Sequence, residues 1–328
     1  MTYLELPRRR FLHLAAGTAA LPAMLRIARA QVYPSRPVRI INGFPPGGVT
    51  DILARLIGQR LSDRLGQQFI VENRMGAGTN IATEAVANAP PDGYMLLVAT
   101  AANVINATLY EKLNFNFIRD LAPIASFGVA PQIMVVNPEI PAKTVAEFIT
   151  YAKANPGKIN YASGGVGSPP HAAGELFKMI AGVNMTHVPY RGTNVAMPDM
   201  IGGQVQVIFA FIPDVIEYIR AGNLRALAVT TAMRLDTLPN IPIVGDSLPG
   251  FEATSLQGLC APKNTPVAII EKLNSEINMA LADQKITARF DELGLTPLSG
   301  SPADFGKLIA EHTEKWGQVV RFAGMKVD

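Results

Sequence analysis

One stretch restricts the fold more than any other: Ile41-Asn42-Gly43-Phe44-Pro45-Pro46-Gly47-Gly48-Val49-Thr50-Asp51. The apolar run that enters it, residues 37–43, reads as a strand. The residues that leave it place apolar side chains at Ile52, Leu53, Leu56, Ile57 and Leu61, the spacing of one helix face. Between the two, proline and glycine stop either element from continuing, and Thr50 or Asp51 can cap the first helical turn. A chain passing from strand to glycine turn to helix leaves backbone N–H groups unpaired at the positive end of the helix. Such an end binds anions without a charged side chain. The same turn also serves as a plain connection in α/β proteins, so this segment alone leaves both readings open.

The rest of the chain repeats the arrangement. Strands are expected at 39–43, 68–73 and 94–99. Helices are expected at 51–65 and from Gly76-Ala77-Gly78-Thr79-Asn80 through residue 88. This β-α-β-α-β order predicts a mainly parallel sheet with helices on both faces, and ligands beyond the carboxyl ends of the strands. Residues 121–130 and 132–136 read as strands crossing into a second unit. There, a helix over 145–155 and a strand over 159–162 lead into Ser163-Gly164-Gly165-Val166-Gly167-Ser168-Pro169-Pro170 and a helix over 172–181. That is a second strand, glycine turn and helix start. Further strands are expected at 184–189, 205–209, 224–230 and 255–261. Helices at 214–221, 267–281, 284–293 and 303–322, and a loop over 239–250, complete the reading.

The first thirty residues read as an address. Arg8-Arg9-Arg10-Phe11-Leu12 is a twin-arginine pattern, an apolar run follows from Leu14 to Leu25, and Ala28-Arg29-Ala30 is a cleavage site before Gln31. The run is shorter than the roughly 20 residues of a spanning helix. Export with cleavage near Ala30 into the periplasm is the expectation. The whole chain has 29 basic and 26 acidic residues, a formal +3. Removing Arg8, Arg9, Arg10, Arg26, Arg29 and Glu5 leaves 24 basic and 25 acidic residues, a net of −1. Neither nucleic acid nor an anionic membrane is indicated as a partner.

No constellation for catalysis emerges. Gly76-Ala77-Gly78 lacks the third glycine of a dinucleotide fingerprint, where Ile81 stands, and Val98-Ala99-Thr100-Ala101-Ala102-Asn103 lacks its acidic residue. There is no Walker motif and no Gly-x-Ser-x-Gly elbow. His171, His187 and His312 fall in unrelated segments, and no cluster has metal-ligand spacing. No catalytic residue, metal or cofactor is therefore expected. Cys260, the single cysteine, reads as a small core residue and Trp316 as a packing residue. His171 starts the helix after the second glycine turn, where it is either structural or cleft-lining. If the two units face each other, their turns can close on one small anion. None of the glycine turns carries Lys or Arg, so recognition would run through backbone N–H, the hydroxyls of Thr50, Thr79 and Ser168, and bridging water. A cleft closing by hinge motion is the geometry of a solute trap.

These segments resemble the Bug (TctC-like) family of periplasmic solute-binding proteins, receptors of tripartite tricarboxylate transporters. The resemblance is carried by Tyr33-Pro34-Ser35-Arg36-Pro37, Phe44-Pro45-Pro46-Gly47-Gly48-Val49-Thr50-Asp51, Val71-Glu72-Asn73-Arg74-Met75-Gly76-Ala77-Gly78 and Pro91-Asp92-Gly93-Tyr94. Ala162 through Ser168, His171 through Lys178, Val188-Pro189-Tyr190-Arg191-Gly192 and Leu224 through Thr230 continue it in the family's order. Arg191 stands where the family often has Lys, and Ile243-Val244-Gly245-Asp246 departs from the usual Thr-x-x-Glu run.

The resemblance implies an α/β, two-lobed type II periplasmic-binding-protein fold with a central ligand cleft. One lobe would comprise residues 31–130 plus 254–328 and the other 131–253. It implies that a ligand carboxylate is held, partly through ordered water, by Phe44, Gly47, Gly48, Thr50 and Asp51 on one lobe. Gly164, Gly165, Gly167 and Ser168 would hold it from the other, with Thr79, Asn80, Thr100, His171 and Tyr190 as walls. Asp51 reads as a helix cap before a ligand contact. The expected role is that of a non-enzymatic, monomeric receptor delivering a small carboxylate to the membrane subunits of a tripartite tricarboxylate transporter. A sensory adaptor docking on a histidine kinase is the alternative, and an exported enzyme the other rival.

Overall fold

The first strand, β1 (Val38–Asn42), runs into the glycine turn and then helix α1 (Val49–Leu65). This computed structural model describes residues 33–327, so the expected signal peptide lies outside the described residues. The chain divides into two units, Met1–Arg36 and Pro37–Asp328, and every element below belongs to the second. After β2 (Phe69–Asn73) come a 3-10 turn (Ala77–Thr79), α2 (Asn80–Ala87), β3 (Met95–Thr100), α3 (Ala101–Leu109) and the short α4 (Phe117–Asp120). The long β4 (Leu121–Val136) leads to α5 (Val145–Ala154), β5 (Ile159–Ser163), α6 (Pro169–Ala181) and β6 (Met185–Pro189). A 3-10 turn (Thr193–Ala196), α7 (Met197–Ile201), β7 (Val207–Phe211), α8 (Ile212–Arg220) and β8 (Arg225–Val229) follow. The chain closes with β9 (Thr254–Pro262), α9 (Val267–Leu281), α10 (Gln284–Glu292), β10 (Thr296–Pro297) and α11 (Pro302–Ala323).

The strands form one sheet in the order β2-β1-β3-β9-β4-β7-β5-β6, with β8 and β10 also pairing β4. Two parallel blocks flank its middle: β2-β1-β3 and β6-β5-β7. Each block is a β-α-β unit, in which the helix carries the chain back to the start of the next strand. Between the blocks, β9 pairs antiparallel with both β3 and β4. The sheet is therefore mixed where the alternation predicts mainly parallel pairing, because β9, which enters after β8 through a loop holding only a 3-10 turn (Val244–Asp246), runs between β3 and β4 in the opposite direction. The two strands expected at 121–130 and 132–136 are one strand that changes partners. Up to Pro131 it pairs with β9, and from Gln132 it pairs with β7.

The buried side of α1 carries Leu53, Ala54, Ile57 and Leu61, the predicted stripe apart from Ile52 and Leu56. Helix α1 ends on Gly66 in the left-handed conformation, as α6 does on Gly182, the glycine stop that L side chains resist. Every residue of β9 is buried, Cys260 included. Burial pushes the Cys260 thiol well up. Trp316 is fully buried in a core that also holds Phe148, Phe177, Phe209 and Phe251. A second core cluster gathers Ile133, Val135, Met197, Ile208 and Val215.

Helix α3 has no counterpart among the expected elements. Its residues Ala101 to Asn106 are all buried, so it shows no polar face and no amphipathic period. It starts on a capping box in which Thr100 and Asn103 bond reciprocally.

Candidate functional site

Both glycine turns line one cavity of about 270 Å³, just below the ~300–1,000 Å³ usual for ligand pockets. The first turn is shaped from below by Asn42, whose Oδ1 accepts from the Phe44 N–H at 3.3 Å. Gly47 takes φ +82°, and Gly48 is the N-cap residue of α1, with no side chain capping that end. The N–H groups of the first turn of α1, at Val49, Thr50 and Asp51, thus open toward the cavity end of the helix without a side-chain acceptor. The Asp51 carboxylate points elsewhere. Its Oδ2 accepts from Gly47 N–H at 3.0 Å and from Arg55 Nε at 2.9 Å, and its Oδ1 accepts from Asn73 Nδ2 at 2.8 Å. Burial alone would raise this carboxyl, but the hydrogen bonds from Arg55, Gly47 and Asn73 outweigh burial and hold it below its ordinary range.

In the second turn three amides are bonded locally, those of Gly165, Gly167 and Ser168. The N–H groups of Gly165 and Gly167 donate to Ser163 Oγ at 3.1 Å and His171 Nδ1 at 3.2 Å. Ser168 N–H donates to the Gly165 carbonyl at 3.1 Å, and the Ser168 hydroxyl donates to the same carbonyl at 2.7 Å. Ser168 also caps α6 by accepting from His171 N–H. The next two residues, Pro169 and Pro170, have no N–H to offer. The His171 ring stacks on His187 with 3.7 Å between centroids and 8° between planes, and Tyr161 stacks on His187 in turn. Burial, then the neighbouring His187 and Lys178, lowers His171 to about 3. Burial and Lys178 lower His187 to about 4. Both rings are therefore neutral at physiological pH, as the Gly167 bond to a bare Nδ1 requires.

Of the sequence-derived site residues, Phe44, Gly47, Gly48, Thr50, Thr100, Gly164 and Ser168 lie on the cavity wall. The other seven do not lie on that wall. Asp51 faces Arg55 and Asn73, and His171 supports the second turn from behind, together with Gly165 and Gly167. Tyr190 donates its hydroxyl to Asp199 at 2.6 Å. Thr79 and Asn80 are buried against α3, where their side-chain oxygens accept from Asn103 and Asn106. The third glycine turn is thus a packing device, and its Asn106 partner also reaches the Gly78 carbonyl at 2.5 Å.

The wall holds polar residues that sequence reasoning did not select: Arg191, Thr193, Asn194, Asp214, Ser255 and Gln257. Arg191 and Thr193 follow β6 in a run the sequence does mark. Asp214 and Gln257 sit in segments that read as ordinary helix and buried strand, with no local signal. Among the described residues, no group of three or more His, Cys, Asp or Glu side chains is placed to hold a metal ion. No helix among them is long and apolar enough to cross a membrane.

Residues 53–325 match the family described as tripartite tricarboxylate transporter family receptor. The protein BugT of Bordetella pertussis is 36% identical over 301 residues, covering 91% of this chain and 92% of that protein. Among solved structures, Rpa4515 of R. palustris with adipate superposes with a TM-score of 0.83 at 34% identity, covering 90% of this chain and 99% of the other. MatC of Rhodopseudomonas palustris with bound malate gives 0.80 at 31% identity, covering 88% and 100%.

Proposed function

Since this chain belongs to the tripartite tricarboxylate transporter receptor family and has the α/β fold of periplasmic solute-binding proteins, we propose that it captures a small organic acid in the cavity shared by its two glycine turns. The lobes that close on the ligand are residues 31–130 with 254–328, and residues 131–253. The observation that carries this reading is the uncapped start of α1 on the cavity wall. A carboxylate there satisfies backbone donors at the positive end of the helix dipole. Relatives of the same architecture hold adipate and malate, which supports a carboxylate as the solute.

The chain is exported by the signal at 1–30, works as a monomer in the periplasm, and hands its ligand to the membrane subunits of the transporter. It performs no chemistry on the acid, in keeping with its membership of a family of transporter receptors. The test is a thermal-shift screen of organic acids with the purified protein. The matching acid at a hundredfold excess over its Kd stabilises the fold by about 2.7 kcal/mol, which raises the melting temperature by several degrees. An unmoved melting temperature across mono-, di- and tricarboxylates refutes the carboxylate assignment.

A further inference from the structure

Two acceptors on the cavity wall are left under-partnered by the protein: one oxygen has no donor, and one carboxylate has no cation beside it. Gln257 is 1% exposed; its Nε2 donates to Ser255 Oγ at 3.3 Å, while its Oε1 has no partner. Leaving such an oxygen unpaired and out of water is unfavourable. Asp214 stands in the first turn of α8, on the same wall. Its carboxylate accepts from the Thr193 hydroxyl, and no Lys, Arg or His among the described residues forms an ion pair with it. Arg191 lines the cavity but is not paired with Asp214. A wall that opens helix N–H donors on one side therefore presents bare acceptors elsewhere.

We propose that Asp214 and Gln257 form a second recognition point in this cavity, which takes an ammonium group on the ligand, so that the protein selects an amino acid over the dicarboxylic acid of matching length. This rests on the carboxylate reading above and specifies the far end of the ligand. An ammonium supplies three donors, enough for the Asp214 carboxylate and the Gln257 Oε1 together. A hydroxyl supplies one and leaves the Asp214 charge uncompensated. A second carboxylate with no ammonium beside it would meet that charge directly. Burial raises the Asp214 carboxyl to about 6, against the opposing hydrogen bond from Thr193. At neutral pH the cavity thus holds a carboxylate charge that a cation on the ligand would offset.

Isothermal titration of the purified protein at pH 7.5 with aspartate against succinate, and with glutamate against glutarate, tests this. The amino acid is expected to bind about tenfold tighter or more than its partner, the effect of one charge-assisted hydrogen bond. In Asp214→Asn that ratio is expected to fall to near one. Equal or tighter binding of the diacids by the wild-type protein overturns the proposal and leaves the carboxylate reading standing, as does a ratio that survives in Asp214→Asn. The wild-type comparison decides the matter even if the variant does not fold. Failure of all four acids, and of their shorter and longer analogues, overturns the proposal; the carboxylate reading falls with it only if the thermal-shift screen of mono- and tricarboxylates is blank as well.

Discussion

The two glycine turns that line the cavity share one sequence pattern and opposite hydrogen-bond states. At the first, Gly48 hands over to α1 with no capping side chain, and the first-turn amides are open. At the second, Ser168 caps α6, two prolines take the first two helical positions, and the N–H groups of Gly165, Gly167 and Ser168 bond within the turn or to His171. A glycine turn before a helix is therefore not in itself an anion site. What decides is where its amides go. The first turn is built to donate, while the second is a rigid wall that shapes the cavity.

The comparison breaks first at Gly167. A Cβ there would stand 2.6 Å from Leu109 Cδ2 and 3.0 Å from Asn106 Oδ1, at φ +77°. Gly167→Val is expected to cost roughly 3 kcal/mol in chemical denaturation, because a β-branched residue is strained at that φ and its side chain would meet Leu109 and Asn106. His171→Leu leaves the Gly167 N–H without its acceptor, and a loss of about 2 kcal/mol is expected from the same measurement. Faster hydrogen exchange at Gly167 should accompany it; an unchanged exchange rate would mean the histidine does not hold the turn.

The histidine pair also sets a pH dependence. Both rings are neutral in the fold, with values of about 3 and about 4 against an ordinary 6.5. The unfolded chain therefore takes up protons first as the pH falls. Their stabilising contribution is whole above 6.5 and drains away as the pH drops toward 4, at up to about 1.4 kcal/mol per unit for each ring. Asp214, raised to about 6, works in the opposite direction between about 4 and 6, while His312, lowered to about 4 by burial and then Lys315, adds a third acid loss of the same sign as the pair. Melting curves from pH 8 to 4 should fall on the acid side, and His187→Gln should flatten them.

Making the first turn like the second sharpens the contrast. Val49→Pro removes one open N–H at a position where proline suits the helix start, since Gly48 before it is already extended. Acid binding is expected to weaken about tenfold with the melting temperature of the free protein little changed. The smallest effect belongs to Ser168→Ala, a lost cap worth about 1 kcal/mol; weaker ligand affinity beyond that would reveal a direct role for the hydroxyl.

Much of the fold is legible locally because strands and helices in the two parallel blocks each carry their own period and stop signals. The pattern Ile41 through Asp51 announces its strand, turn and helix, and β9 reads as a buried strand from its apolar run. Helix α3 is invisible for the opposite reason: enclosed on nearly all sides, it needs no polar face. The wall residues from the turns, such as Gly47 and Ser168, are marked by glycine and hydroxyl spacing. Asp214 and Gln257 carry no such mark, because what distinguishes them is a shared cavity assembled from β9 and the start of α8.

By itself, the sequence determined most of the succession of elements, the two turns and the family, since these depend on neighbours along the chain. Tertiary structure alone decided which turn keeps its amides free and which spends them on Ser163 and His171. It also decided that Thr79 and Asn80 pack against α3 rather than face the cavity. The partners of Thr79 and Asn80, Asn103 and Asn106, stand 24 and 26 residues away, and only the folded chain brings them into hydrogen-bond reach; those of the second turn are near in sequence, but only the backbone path fixed by packing aims the amides at them.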